Sequence, residues 1–250
     1  PYAVVNPRQV WWMVVLIVGL NLMGYAAFRL MGATAGTALA GVLGGVISST
    51  ATTASYARQT RDQVGKDATA VVVVWIASGI VFLRVLLEIS AVSPSLLSTA
   101  AGPIGVMLTV FILVTGLVWR TAKASSPTPL EPTNPTELKT AILFGALYAV
   151  VLLVVAAGQD LMGDVGLYAA AAVSGLTDVD AITLSTARLV STERLSPDIG
   201  WRLVMIAVLS NLVFKLGLAG ALGSKAFARR LGGMGAFAIA TGVLLLIFWR

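Results

Sequence analysis

Apolar runs of about twenty residues follow one another along almost the whole chain, most of them ending at a charged residue or a proline. A helix crossing a bilayer needs about 20 largely apolar residues, because it rises about 1.5 Å per residue through a hydrocarbon core about 30 Å thick. Eight stretches qualify: 10–29, 33–58, 68–91, 96–119, 138–157, 165–190, 201–222 and 232–249. Only 11% of the residues are charged and the mean hydropathy is +0.92, against roughly 25% charged in a soluble domain. The expected fold class is therefore an all-α integral membrane protein of about eight transmembrane helices, with the lipid bilayer as its first partner.

The net charge of +6 would suggest nucleic acid only if the basic residues shared a soluble face. They stand instead at the ends of the apolar runs, so no nucleic-acid partner is expected. The chain has no cysteine and no histidine. This excludes disulfides, thiolate or imidazole metal ligands and histidine proton relays, and any bound metal must be hard and oxygen-liganded. No cofactor is expected. The chain opens on Pro1 without a cleavable signal, which suggests a fragment of a longer protein.

Two polar segments interrupt the apolar pattern. One is Leu176-Thr177-Asp178-Val179-Asp180-Ala181-Ile182-Thr183-Leu184-Ser185-Thr186-Ala187-Arg188; the other is Ile47-Ser48-Ser49-Thr50-Ala51-Thr52-Thr53-Ala54-Ser55-Tyr56-Ala57-Arg58. With Ser48 set against Asp178, Ala51 meets Ala181, Thr53 meets Thr183, Ser55 meets Ser185 and Arg58 meets Arg188 without a gap. Asn6-Pro7 likewise matches Asn134-Pro135, Phe82-Leu83-Arg84 resembles Val213-Phe214-Lys215, and both halves close on Trp-Arg, at Trp119-Arg120 and Trp249-Arg250. The spacing stays near 130 throughout. Two homologous four-helix repeats, 1–123 and 134–250, joined by the Pro/Ser/Thr-rich linker 124–133, are expected. Transporters commonly place a site between such halves.

Lysine and arginine placement sets the orientation. With a cytoplasmic N-terminus, that side holds Arg8, Arg58, Arg61, Lys66, Arg120, Lys123, Lys139, Arg188, Arg194, Arg202 and Arg250; the other holds Arg29, Lys225, Arg229 and Arg230. A multi-pass inner-membrane protein with both ends of this chain cytoplasmic follows. Four spans per repeat make the repeats parallel, unless a span is re-entrant. The tryptophans at 11, 12, 75, 119, 201 and 249 read mostly as an interfacial belt.

A carboxylate at the bilayer centre costs about 2.5–3.5 kcal/mol on insertion scales, so Asp178 and Asp180 need partners or a purpose. On a continuous helix they point to nearly opposite sides. Either protein surrounds that helix, or the backbone unwinds near Gly175, and near Gly44-Gly45 in the first half. Asp178 and Asp180 would neutralise an ion, as its metal ligands if it is a metal. Thr183, Ser185, Ser48, Ser49, Thr50 and Thr53 would replace water oxygens. Arg84 and Glu88, one turn apart, read as a pair or, with Lys215, as gating or counter-charges. Asn211, one turn before Lys215, reads as interhelical glue or part of that gate. Lys215 has Asp178 as the acid nearest in estimated depth.

These segments carry a resemblance. Asn6-Pro7-Arg8, Gly44-Gly45-Val46-Ile47-Ser48-Ser49-Thr50-Ala51-Thr52-Thr53, Asn134-Pro135-Thr136-Glu137-Leu138-Lys139 and Ser174-Gly175-Leu176-Thr177-Asp178-Val179-Asp180-Ala181-Ile182-Thr183 resemble the membrane domain of unknown function found C-terminal to MgtC/SapB-type domains. The resemblance covers essentially the whole chain. It implies an N-terminal MgtC-like domain in the full-length protein, and it points loosely to magnesium or ion homeostasis.

The expected function is a channel or secondary transporter for a small ion, with a cation favoured and Mg²⁺ among the candidates, or for a small polar solute. If Arg84 and Lys215 face the site, a zwitterion or anion also fits. The alternatives are a structural or regulatory membrane module whose acids specify packing, and an intramembrane enzyme built on paired aspartates. The enzyme is disfavoured because no nucleophile–base constellation accompanies the aspartates. Homo-oligomerisation is left open.

Overall fold

The computed structural model describes residues 6–31, 36–62, 65–119 and 138–249. Eight helices run through them: α1 Pro7–Met31, α2 Thr37–Asp62, α3 Asp67–Val92, α4 Pro94–Trp119, α5 Leu138–Thr177, α6 Val179–Ser191, α7 Pro197–Leu222 and α8 Lys225–Phe248. Five of these, α2, α3, α4, α7 and α8, contain segments long and apolar enough to cross a membrane. Shorter apolar helical segments cover Tyr148–Ala157 and Val165–Thr177. The protein is a multi-pass, all-helical membrane protein.

Entry into three helices follows one local rule, a polar residue followed by proline. Asn6 Oδ1 accepts the Arg8 backbone N–H at 3.0 Å, Ser93 Oγ that of Leu96 at 3.4 Å and Ser196 Oγ that of Ile199 at 3.4 Å. Proline suits the first helical position because the N–H it lacks would have had no partner there. The Ser-Pro pairs start α4 and α7 earlier than hydropathy suggests, at 94 and 197 instead of 96 and 201. Ser224 caps α8 by accepting the Phe227 N–H, so the basic cluster Lys225, Arg229 and Arg230 sits in the first turns of a helix. The Asn134-Pro135 pair and the 124–133 linker lie outside the described residues.

The second half departs from the expected spans. The expected division between 157 and 165 is present: α5 is two helices joined across a kink at Gly163, whose φ of 57° and ψ of −140° lie where an L side chain is strained. The predicted sixth span is instead divided at Asp178 between the end of α5 and the short α6.

The chain packs as two compact units, each assembled from separated segments. The first contains Pro1–Gly19, Arg84–Ile104 and Pro135–Asn211; the second contains Leu20–Leu83, Gly105–Asn134 and Leu212–Arg250. In the first unit α5 packs on α6, and Gly200 of α7 lies against Leu96 and Val190. Its core includes Ile89, Leu96, Tyr148, Leu152, Ile182 and Trp201.

In the second unit Trp75 stacks on Phe111 with ring centroids 4.1 Å apart, and its Nε1 donates to the Phe111 carbonyl at 3.2 Å. Phe82 tilts against the same ring at 5.1 Å. Leu216 fills the space over Gly235, joining α7 to α8. The Ser224 hydroxyl donates to Asp67, and its backbone N–H donates to Thr60 Oγ1. These bonds tie the ends of α2, α3 and α8 together. Trp75 and Trp201 are thus core residues, 1% and 2% exposed, and do not belong to an interfacial belt; Trp11, Trp12 and Trp119 are exposed. Their indole rings go where large apolar area can be packed, and the Trp75 N–H finds a partner there.

Candidate functional site

In the first unit the helical chain breaks at Asp178. Its backbone is extended, with φ −155° and ψ 125°, and its Oδ1 accepts the N–H groups of Asp180 at 2.7 Å and Ala181 at 3.1 Å. The first turn of any helix presents N–H groups without intrahelical acceptors, and aspartate satisfies them while placing negative charge on the positive end of the helix dipole. Asp178 is therefore the cap of α6. This break lies three residues beyond Gly175, the position where unwinding is suggested by composition alone.

The stub of α5 is held in place by α7. A methyl group on Gly175 would lie 2.3 Å from the Ala207 carbonyl oxygen and 2.6 Å from its Cα, so the two backbones touch there. The break removes the Gly175 carbonyl from the regular i+4 ladder, and Asn211 Nδ2 donates to it at 3.1 Å. Asn211 thus serves as an interhelical tie. Ser174 O receives both the Asp178 N–H and the Thr177 hydroxyl, each at 2.9 Å.

The charges meet beside this break. Arg84, on α3, forms an ion pair and hydrogen bond with Asp180 Oδ2. The local Arg84–Glu88 pair expected from spacing is corrected accordingly. The guanidinium reaches across to α6, 96 positions along the chain. Glu88 stands one turn further on α3, fully buried, with its carboxyl group beside that of Asp180. Arg84, Asp178, Asp180 and Glu88 act on one another electrostatically. One guanidinium and three carboxyl groups thus meet in one corner of the first unit, Arg84 and Glu88 buried and the two aspartates half-buried.

The hydroxyls divide into two classes. Ser185 donates to Ala181 O at 2.6 Å and Thr53 to Ser49 O at 2.8 Å, so both are satisfied within their own helices. Thr183 Oγ1 is buried without a hydrogen-bond partner. The same holds for Thr186, three residues on along α6, and for the Tyr148 hydroxyl of α5. Sequence reasoning missed Thr186 and Tyr148. The three-residue spacing of Thr183 and Thr186 on one helix face was the available signal; Tyr148 carried none.

In the second unit α2 breaks at Ser48, with φ −168° and ψ 103°. Ser48 Oγ accepts the Ala51 N–H at 3.2 Å, and Thr52 Oγ1 donates to Ser48 O at 2.8 Å. Again a glycine three residues earlier meets a neighbouring backbone: a methyl on Gly45 would lie 2.7 Å from the Ala77 carbonyl oxygen. Ser49 is buried and Thr50 half-buried, and Lys215 is 3% exposed on the α7 segment of this unit.

Among the described residues no group of three or more acidic side chains is arranged to hold a metal ion. Asp178 Oδ1 is engaged in the cap and Asp180 Oδ2 in the ion pair. The oxygens outside these bonds are Asp178 Oδ2, Asp180 Oδ1 and the Glu88 pair. They suit a hard cation better than a soft one.

The family model described as "Domain of unknown function (DUF4010)" matches residues 15–223, which contain both breaks and all four charged groups. The chain belongs to the DUF4010 family. An uncharacterized protein from Aquifex aeolicus (strain VF5) is 37% identical over 92 residues, covering 37% of this chain and 40% of that protein. The chain thus matches less than half the length of that relative. No solved structure matches it.

Proposed function

We propose that this DUF4010 protein is a membrane channel or secondary transporter for a small ion or polar solute, with a cation favoured. In this reading 1–123 and 134–250 are homologous repeats, and the site lies where they meet. One observation carries it: a capped helix break within the apolar helical chain, whose acid Asp180, from the second half, pairs with Arg84 from the first. Broken helices suit permeation because they free backbone groups where a continuous helix offers none.

The repeat reading is supported by correspondences at one offset of 130. Ser48 and Asp178 both cap a break, Gly45 lies on Ala77 as Gly175 lies on Ala207, and α3 and α7 each span 26 residues from 67 and 197. The excess of carboxyl groups over the guanidinium favours a cation. The family resemblance adds an MgtC-like domain in the full-length chain to the proposal.

The experiment is flux through the purified protein in proteoliposomes across a panel of inorganic cations, anions and small zwitterions. Asp178→Asn is the informative variant, because asparagine caps a helix about as well as aspartate while removing the charge. Expected is flux in the wild type and a loss of at least about tenfold in the variant, with thermal stability kept. Absence of wild-type flux for every solute would sink the reading. The second reading, a packing module, is favoured by the way Asp178 and Asp180 already find partners within the protein. It requires Asp178→Asn and Asp180→Asn to change folding alone.

A further inference from the structure

Glycine contacts fix the path of α2. A methyl on Gly41 would lie 2.7 Å from Ile76 Cβ and 3.1 Å from the Val73 carbonyl oxygen; one on Gly45 would lie 2.7 Å from both Ile80 Cβ and the Ala77 carbonyl oxygen. Four residues forward along α2 are thus four residues forward along α3, so 37–47 runs parallel to α3. Yet α2 finishes where α3 begins. Thr60 Oγ1 accepts the Ser224 backbone N–H, and the Ser224 hydroxyl donates to Asp67, the first residue of α3. A segment that sets out parallel to α3 and finishes at its start has reversed direction on the way. The reversal is at Ser48: a methyl on Gly44 would lie 2.6 Å from Thr52 Oγ1 and 2.9 Å from its Cγ2, although these residues would stand about 12 Å apart along a continuous helix.

The break at Asp178, in the first unit, has the same setting. Gly175 lies on Ala207, and Val190 meets Gly200 at the start of α7. From 175 to 190 one helix would extend about 22 Å, but from 207 to 200 α7 covers only about 10 Å. The chain doubles back here as well.

We infer that α2 and 164–191 are re-entrant hairpins, which enter the membrane, turn at Ser48 or Asp178, and leave by the face they entered. Each proposed repeat then crosses the membrane three times and not four, so the second is inserted upside down relative to the first. α2 is apolar and long enough to cross, but its path returns. The second unit bears this out independently of the hairpins: α7 ends at Ser224, on the face where α3, its repeat partner, begins. The parallel repeats expected from four spans give way to inverted ones, and Lys225 joins Arg61 on one face, from which lysine and arginine placement separates it. The inference rests on the repeat reading and selects the carrier over the channel. Inverted halves can exchange conformations, which turns a site open to one face into a site open to the other.

Single cysteines in the full chain, labelled with an impermeant maleimide in intact cells and in inside-out vesicles, test the hairpins, with the wild-type chain as the blank. Gly36→Cys and Arg61→Cys, at the two ends of α2, are expected to label from one face, together with Lys225→Cys. Val165→Cys and Ser191→Cys are expected to label from the other. Gly36→Cys and Arg61→Cys on opposite faces would make α2 a span and overturn the inference. Arg61→Cys and Ser191→Cys, which are repeat partners, on the same face would make the repeats parallel and overturn it too. Thr37→Cys and Arg58→Cys replace any variant of the α2 pair that does not reach the membrane. The carrier assignment is read in the proteoliposomes of the flux panel: efflux of a transported solute should be accelerated by the same solute outside, and efflux without that acceleration would overturn the assignment. The expected labelling without flux of any panel solute would sink transport and leave the hairpins standing.

Discussion

Asp178 and Asp180 would face opposite sides of a regular helix, yet both serve the same helix end. Asp178 adopts an extended backbone and folds its carboxylate over the first turn of α6, while Asp180 projects from that turn toward Arg84. Two residues apart, they hold different partners, a cap and an ion pair. The stability consequence is specific. Asp180→Asn alone is expected to cost about 1–2 kcal/mol, because the guanidinium can turn to Glu88. Asp180→Asn with Glu88→Gln removes two of the carboxylates that act on the buried guanidinium and should cost more than either substitution alone. Thermal unfolding in detergent measures both, and a double substitution no worse than the single one would contradict the shared guanidinium. The need for partners at these acids was legible from the cost of burying them. Which partner each took was not, because hydrogen-bond geometry across helices is absent from spacing along one helix.

At the scale of elements, the two breaks depend on glycines that allow helix backbones to touch. A side chain on Gly175 would meet the Ala207 carbonyl at 2.3 Å, and one on Gly45 would meet that of Ala77 at 2.7 Å. Backbone cannot swing aside as a side-chain tip can. Gly175→Ala is therefore expected to destabilise by at least about 3 kcal/mol, at the upper end of overpacking costs, and Gly45→Ala by somewhat less. Gly232→Ala, where nothing lies within 4 Å, is the control and should leave the melting temperature essentially unchanged. Equal melting temperatures for all three would remove the close approach from the account. Small residues near both breaks were visible in the sequence. Their distinction from ordinary packing glycines was not, because it depends on what lies opposite.

For the molecule as a whole, the two compact units do not follow the two halves of the chain. α3 gives Leu83 to one unit and Arg84 to the other, and α7 divides between Asn211 and Leu212. Packing thus groups the helices differently from the proposed repeats. The proposed orientation is directly testable because these 250 residues contain no cysteine, so an introduced thiol is the only one among them. Ser191→Cys, at the end of α6, should react with an impermeant maleimide from the cytoplasmic face, and Lys225→Cys, at the start of α8, from the opposite face. Labelling of Ser191→Cys from outside intact cells would reverse the assignment drawn from lysine and arginine placement.

Hydropathy alone determined that the chain is helical and membrane-embedded, because a bilayer leaves the backbone of a spanning segment almost no other way to satisfy its N–H and C=O groups. It also marked Asp178, Asp180 and the hydroxyl-rich stretch around Ser48 as the places where that pattern needed explaining. Only the tertiary structure decided that the helices break at Ser48 and Asp178, that Arg84 leaves its neighbour Glu88 for Asp180, and that Trp75 and Trp201 are core residues. Each of those outcomes depends on contacts between segments far apart in the chain, where a few tenths of an ångström separate a hydrogen bond from none. Local composition carries no record of that distance.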